Sequence, residues 1–318
     1  MVTNLSKEFL NNHSIYHIFT GSTAYGLANK ESDIDQKAFV ILPANYLLTR
    51  NKEWETQTFH DPDIEFHSLK KAINLLNGQN PTVLETLFVP DRFIIKQSSE
   101  GKKLREHRHL FLSQNCFYSF GGYAKDQLMR IKNGIDKAEK KDKDIHLKHV
   151  LEQMLFQMKQ KYPSLKSGIF QVKDVFRDDY EKQQVNFDIR FDNISLTEIN
   201  GIVSELSTTY RNYNKKISHQ SKKSEAKLFK HAMHLFRLLL MGIEVLKTGE
   251  LNVYREKDRD FLLNIRNKKY EWDELFAMAD DLFLQLEEAK RTSILPEKTD
   301  AEKIDQFYFK LISEHYNL

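Results

Sequence analysis

A chain of 318 residues, 40% hydrophobic and 29% charged, is long enough for one large domain or two ordinary ones with a real core. Its formal charge of +3, from 48 basic and 45 acidic residues, is too balanced to argue for nucleic acid by itself. One cysteine, Cys116, excludes an intramolecular disulfide. The segment MVTNLSKEFLNNHS lacks the apolar core of a signal peptide, and the longest apolar stretch, LFRLLLMGIEVL, carries Arg237 and Glu244 and is too short for a bilayer. The expectation is a cytoplasmic protein without membrane contact.

In chain order, residues 15–19 (IYHIF) read as a short buried strand, and TGSTAYG after them as a turn or the opening of a short helix. Residues 33–42 (DIDQKAFVIL) read as a second strand and 63–69 (DIEFHSL) as a third. Leu69, Ala72, Ile73 and Leu76 then recur at helical spacing, with Gly78 where a helix-ending glycine belongs. Asn80-Pro81 reads as an N-cap with proline at N1, opening a short helix that stops before Pro90. Beyond about residue 100 the pattern is mostly helical, including 117–135 despite Gly121-Gly122. In 184–191, Val185, Phe187 and Ile189 alternate, with Phe191 on the same face, so a strand or hairpin is expected within the helical half. Helices are expected over 194–213 and, most strongly, 225–251. The chain shows neither an internal repeat nor a Pro/Gly/Ser-rich linker.

The stretch TGSTAYGLANKESDIDQKAFVIL is the one that ordinary packing does not explain. Ten residues separate Ser22 from Asp33, and Asp35 follows two further on. Positions i and i+2 of a strand share a face, so Asp33 and Asp35 project together. Two like charges side by side call for a cation between them. Hard carboxylate oxygens suit Mg²⁺, which keeps several waters and completes its shell with substrate phosphates. Gly21 lets backbone approach a phosphate closely, and Ser22 can donate to its oxygens. A phosphoryl site with two metals needs a third carboxylate. DIEFHSL offers Glu65, flanked by apolar residues on both sides, with Asp63 on the same face as its rival.

Gly-Ser, ten residues, DID and then an isolated acid in IEF resemble the nucleotidyltransferase fold of the DNA polymerase beta superfamily. GSTAYGLANKESDIDQKAF, DIEFHSLKKAINLLNGQNPTVLETLF, GGYAKDQL and KHAMHLFRLL…TGEL are similar, in order, to the predicted nucleotidyltransferases proposed to work in RNA repair. Residues of about 160–220 match least well. The resemblance implies an α+β protein. A catalytic nucleotidyltransferase domain with a mixed sheet would span 1–100, and a mainly helical domain closing the cleft would span 101–318, with a β insertion near 165–195. Gly21 and Ser22 would hold the triphosphate, and Asp33, Asp35 and Glu65 two Mg²⁺ (or Mn²⁺) ions. The implied reaction moves a nucleoside monophosphate from an NTP to a hydroxyl and releases pyrophosphate. RNA, including a tRNA 3′ end, is the expected acceptor. The rival readings are a protein AMP-transferase of the antitoxin type and a non-catalytic nucleotide- or RNA-binding module.

Bland readings stand beside the sharp ones. A lone D-x-D is more often a solvated strand start than a metal site, and here the Gly-Ser spacing and the third acid tip the balance. Lys70 and Lys71 open the helix after Glu65, and either a solvated face or a phosphate contact at Lys71 explains them. Asn80 is accounted for as a cap. Lys230, His234 and Arg237 share one face of the strongest helix. A polar stripe on so apolar a helix needs an anionic partner if buried, and the expected partner is phosphate, gripped best by Arg237. No histidine shows zinc-ligand spacing with cysteine. Cys116 reads as a small core residue. The Lys-rich stretches 137–148 and 215–230 are candidates for tracking a nucleic-acid backbone, the second with fewer acids.

Overall fold

The computed structural model describes residues 4–29, 32–48, 54–139, 143–159, 161–178, 183–219 and 225–318. It forms two compact units. Met1–Arg130 with Phe229–Leu318 make the first, and Ile131–Leu228 the second. The expected boundary near residue 100 falls inside the first unit.

The first unit is built on a five-stranded mixed sheet of order β3-β4-β2-β1-β5. Its strands are β1 (Ser14–Phe19), β2 (Gln36–Val40), β3 (Thr56–Phe59), β4 (Ile64–Ser68) and β5 (Ile94–Gln97). β1 runs antiparallel to both β2 and β5, β3 antiparallel to β4, and β2 parallel to β4 with Gln36 opposite Ile64 and Lys37 opposite Glu65. The α+β class with a mixed sheet is as expected. The second strand begins at Gln36, so Asp33 and Asp35 lie just ahead of it. β3 and β5 had no clear periodicity: each is four residues long and largely exposed.

Strand alternation divides the labour of the central strands. Ala38, Val40, Ile64 and Phe66 enter a core with Leu5, Leu10, Leu42 and Trp54. Helix α1 (Lys7–Asn12) precedes β1, α2 (Gly21–Tyr25) follows it, and α3 (Ala44–Leu48) follows β2. After β4 comes α4 (Leu69–Asn77), capped by Ser68 Oγ, which accepts from Lys71 N at 3.1 Å. Its apolar stripe, Leu69, Ala72, Ile73 and Leu76, is buried as the spacing predicts. Gly78 keeps an ordinary φ of −74°, and the left-handed turn falls one residue later at Gln79, with φ 52°. Gln79 is buried there and its amide donates to Ser113 Oγ. Asn80 then caps α5 (Pro81–Leu84), its Oδ1 accepting from Thr82 N at 3.0 Å.

Helix α6 (Ser99–Glu106) leads to α7 (Cys116–Glu139), which is helical through its Gly-Gly pair. Cys116 is buried, and burial pushes its thiol up to about 12, so it behaves as a core residue. In the second unit, α8 (Lys143–Met158), α9 (Ser164–Ser167), the hairpin β6 (Ile169–Arg177) and β7 (Gln183–Arg190), and the first part of α10 (Leu196–His219) share a core around Leu151, Leu155, Val172 and Ile202. Val185, Phe187 and Phe191 pack against it, whereas Ile189 is half-exposed. Most side chains of the Lys-rich stretches 137–148 and 215–230 lie outside the described residues. The chain returns to the first unit through α11 (Glu225–Thr248), followed by α12 (Arg259–Arg266), α13 (Trp272–Arg291) and α14 (Ala301–Tyr316). Among the described residues no helix is long and apolar enough to cross a membrane.

Two glycines carry opposite expectations. A Cβ on Gly101 would lie 2.3 Å from the backbone oxygen of Ile15, which cannot swing aside, whereas one on Gly122 meets nothing within 4 Å. Gly101→Ala is expected to cost about 1–3 kcal/mol through forced displacement of α6 from β1. Gly122→Ala is expected to stabilise by about 0.5–1 kcal/mol through helix propensity alone. Urea midpoints of the two variants should move in opposite directions.

Candidate active site

Three chain segments meet at one end of the sheet. β1 and β2 are antiparallel, so the end of β1 lies beside the start of β2, and Thr20 N donates to Asp35 O at 2.8 Å. β2 and β4 are parallel, so their starts coincide, and Gln36 N donates to Asp63 O at 2.9 Å. The register therefore sets Asp35 beside Asp63 and, two residues deeper on the same face, Lys37 beside Glu65.

Gly21 follows directly, with φ +61°. A Cβ there would stand 2.2 Å from Asp35 Oδ2. The glycine supplies both the left-handed backbone and the room for the carboxylate. Asp35 is half-buried. Burial raises its pKa, Asp63 and Asp33 push the same way, and Lys230 and Lys37 pull against them. Asp33 is exposed. Asp63 Oδ1 accepts from the exposed His60 Nδ1 at 2.8 Å.

Glu65 has a different environment. Lys37 Nζ donates to its Oε2, and His67 Nε2 lies 3.5 Å from the same oxygen. His67 Nδ1 is in turn 2.9 Å from Thr56 Oγ1. The His67 contact, followed by the charge and hydrogen bond of Lys37, holds the Glu65 carboxyl down at about 2 against the effect of burial. Among the described residues no three His, Cys, Asp or Glu side chains converge as a ready-made metal cage. The local chemistry still fits a hard cation. Asp35 and Asp63 are oxygen donors with like charge at an open rim, and such an ion takes the rest of its shell from water and phosphate.

The basic stripe of α11 divides residue by residue. Lys230 is exposed, and its charge reaches Asp35. His234 is half-buried, and burial, with Arg237 and Lys230 next, pushes its pKa down to about 3, so it is a neutral imidazole and not a cation. Arg237 does not face phosphate. It is 4% exposed, its Nη1 donates to Glu85 Oε2 at 3.0 Å, and its guanidinium lies 3.7 Å from the centroid of the Tyr25 ring. Tyr25 OH donates to the other Glu85 oxygen. The anion that a buried guanidinium requires is supplied from within the fold. Lys71 also departs from expectation. It sits in the first turn of α4, beyond the far end of β4, and pairs with Glu55 Oε2 at 2.8 Å.

Further residues bear on the site that the sequence did not single out. Arg259 Nε donates to Gly26 O and Arg266 Nη1 to Leu27 O, both at 2.9 Å, and Arg255 N donates to Tyr25 O at 3.0 Å. Together with Arg237 and Glu85 they hold the turn that follows Gly21. Glu85 follows the Asn80-Pro81 cap by a few residues, but the arginines come from more than 200 residues away from the turn and no local pattern marks them.

The model of the RNA repair pathway DNA polymerase beta family (RlaP) matches residues 5–163 and 195–310. No curated protein and no solved structure gave a match.

Two variants test this geometry. Arg237→Ala leaves Glu85 buried without its cation and is expected to lower stability by about 3–5 kcal/mol in denaturant titration. Asp35 ionises in the fold only above its ordinary range, so its charge costs stability at neutral pH and costs nothing once both folded and unfolded forms are protonated. Asp35→Asn is therefore expected to raise the melting temperature of the metal-free protein at pH 7. The gain should shrink as the pH falls toward about 4, the unperturbed aspartate range.

Proposed function

Because the chain belongs to the RNA repair pathway DNA polymerase beta family, we propose that it is a nucleotidyltransferase that moves a nucleoside monophosphate from an NTP to a hydroxyl of RNA. The observation that carries this reading is the contact between Gly21 and Asp35, where a Cβ would lie 2.2 Å from the carboxylate oxygen. A phosphate held at the Gly21-Ser22 turn would lie against the same carboxylate that holds a cation.

In the reaction, an acceptor hydroxyl oxygen attacks the α-phosphorus, the bond to the bridging oxygen breaks, and pyrophosphate leaves. Mg²⁺ or Mn²⁺, when bound, neutralises phosphate charge and makes the acceptor hydroxyl easier to deprotonate. Asp35 and Asp63 would hold it, with the exposed Asp33 as third carboxylate. Asp63 replaces Glu65 in this role because Glu65 already has Lys37 and His67 as partners. Gly21 and Ser22 would receive the triphosphate. Lys230 would supply the cation on the opposite side, since carboxylates repel bare phosphate. Arg259, Arg266 and the Arg237–Glu85–Tyr25 group would position the turn without touching substrate.

Incubation with each α-labelled NTP and Mg²⁺ or Mn²⁺, in the presence of single-stranded RNA, tRNA or the protein alone, tests the reading. Label is expected in RNA, and Asp35→Ala or Asp63→Ala is expected to abolish it. Lys230→Ala is expected to weaken NTP binding about tenfold, the scale of one charge-assisted hydrogen bond. Label in a protein acceptor would replace the RNA reading with protein AMP-transfer. Absence of label under every condition would remove the enzymatic one.

A further inference from the structure

Among the described strand residues, Lys37 is the ammonium built into the same sheet face as the carboxylate rim. It stands two residues from Asp35 on β2, and Cβ atoms two apart on a strand are separated by about 6.5–7 Å, within the span of a lysine stem. Its charge already reaches Asp35. The side chain is 13% exposed, so it has little access to water, and it donates to Glu65 Oε2. Glu65 is fixed in turn by its place on β4, which is paired on both sides, and His67 Nε2 lies 3.5 Å from the same carboxylate oxygen.

We propose that Glu65 is the counter-ion that parks Lys37, keeping its ammonium off the Asp35–Asp63 pair so that a divalent cation can occupy it. This rests on the reading of Asp35 and Asp63 as metal-holding. Without Glu65, a poorly solvated ammonium has a new anionic partner one pleat away, at Asp35. A lysine bound there cancels the charge that attracts the cation and occupies the same lone pairs. Glu65 therefore acts through Lys37 as a positioning residue. A direct ligand role for Glu65 makes the opposite prediction about the double variant, because removing Lys37 cannot restore a lost ligand.

Mn²⁺ binding, followed by titration calorimetry or by the loss of the free-ion paramagnetic resonance signal, tests this without any turnover. The proteins are wild type, Glu65→Gln, Lys37→Met, the double variant and Asp35→Asn, each checked for a cooperative melt. Glu65→Gln is expected to weaken Mn²⁺ binding about tenfold or more, the effect of one unit charge moved into a carboxylate site. The double variant is expected to return to within about threefold of wild type. Lys37→Met, which leaves Glu65 in place and keeps the test open should Glu65→Gln fail to fold, is expected to bind at least as tightly as wild type. Equal weakness of Glu65→Gln and the double variant would make Glu65 a ligand and overturn the proposal. So would wild-type affinity in Glu65→Gln, or a loss of affinity in Lys37→Met. Undiminished binding in Asp35→Asn would remove the cation from this site altogether, a result distinct from the others, and the proposal with it.

Discussion

A guanidinium sealed inside a protein must keep a carboxylate, and that requirement fixes where helix α11 meets the end of the sheet. The side chains of Arg237 and Glu85 are 5% and 4% exposed and 3.0 Å apart, with Tyr25 hydrogen-bonded to the same carboxylate and stacked beneath the guanidinium. Such a pair adds little over good apolar packing, but separating it costs about 3–5 kcal/mol. Positions of α11 that break the pair are excluded by that margin. Tyr25 ends α2, the short helix that Gly21 opens, so the same group fixes the turn, and through α11 it fixes Lys230.

The carboxylate rim is the converse case, in which like charges are brought together. On the face that carries Asp35 and Asp63, the next step inward is the Lys37–Glu65 ion pair, and the next is Phe39 with His67. The opposite face of the same strands holds Ala38, Val40, Ile64 and Phe66 in the core. One pair of parallel strands thus serves both purposes, because strand side chains alternate with a period of two. The burial that raises the Asp35 pKa is the local cost of the arrangement, and Lys37 and Lys230 offset part of it.

Much of this was legible in the sequence because it is local. The short strands β1 and β4, the stripe of α4, the Asn80 cap and the Gly-Ser turn follow from periodicity and from residue chemistry within a few positions. The choice between Glu65 and Asp63 was not local. Apolar flanks favoured Glu65, but flanking residues on a strand report only which face is buried, and Ile64 flanks both acids. The proposed preference for Asp63 rests on the register of β4 against β2, which pairs Glu65 with Lys37 across 28 residues. Arg237 shows the same limit. Helical spacing put it on a face with Lys230 and His234, but the stripe runs from an exposed end to a buried one, and only tertiary packing shows that Glu85 meets it first.

Chain order makes this dependence on distant contacts sharper. The turn, the carboxylates and the sheet come from the first part of the chain, while Lys230, Arg237, Arg259 and Arg266 come after the whole second unit has intervened. The family match breaks off over residues 164–194, where this chain carries α9 and the β6–β7 hairpin. Loop-closure entropy grows only logarithmically, so each doubling of an intervening segment costs about 0.6 kcal/mol. That is small against the penalty of about 3–5 kcal/mol for separating Arg237 from Glu85. The first unit can therefore hold its two chain segments together across a long insertion, and the length of that insertion can change while the residues around Asp35 keep their places.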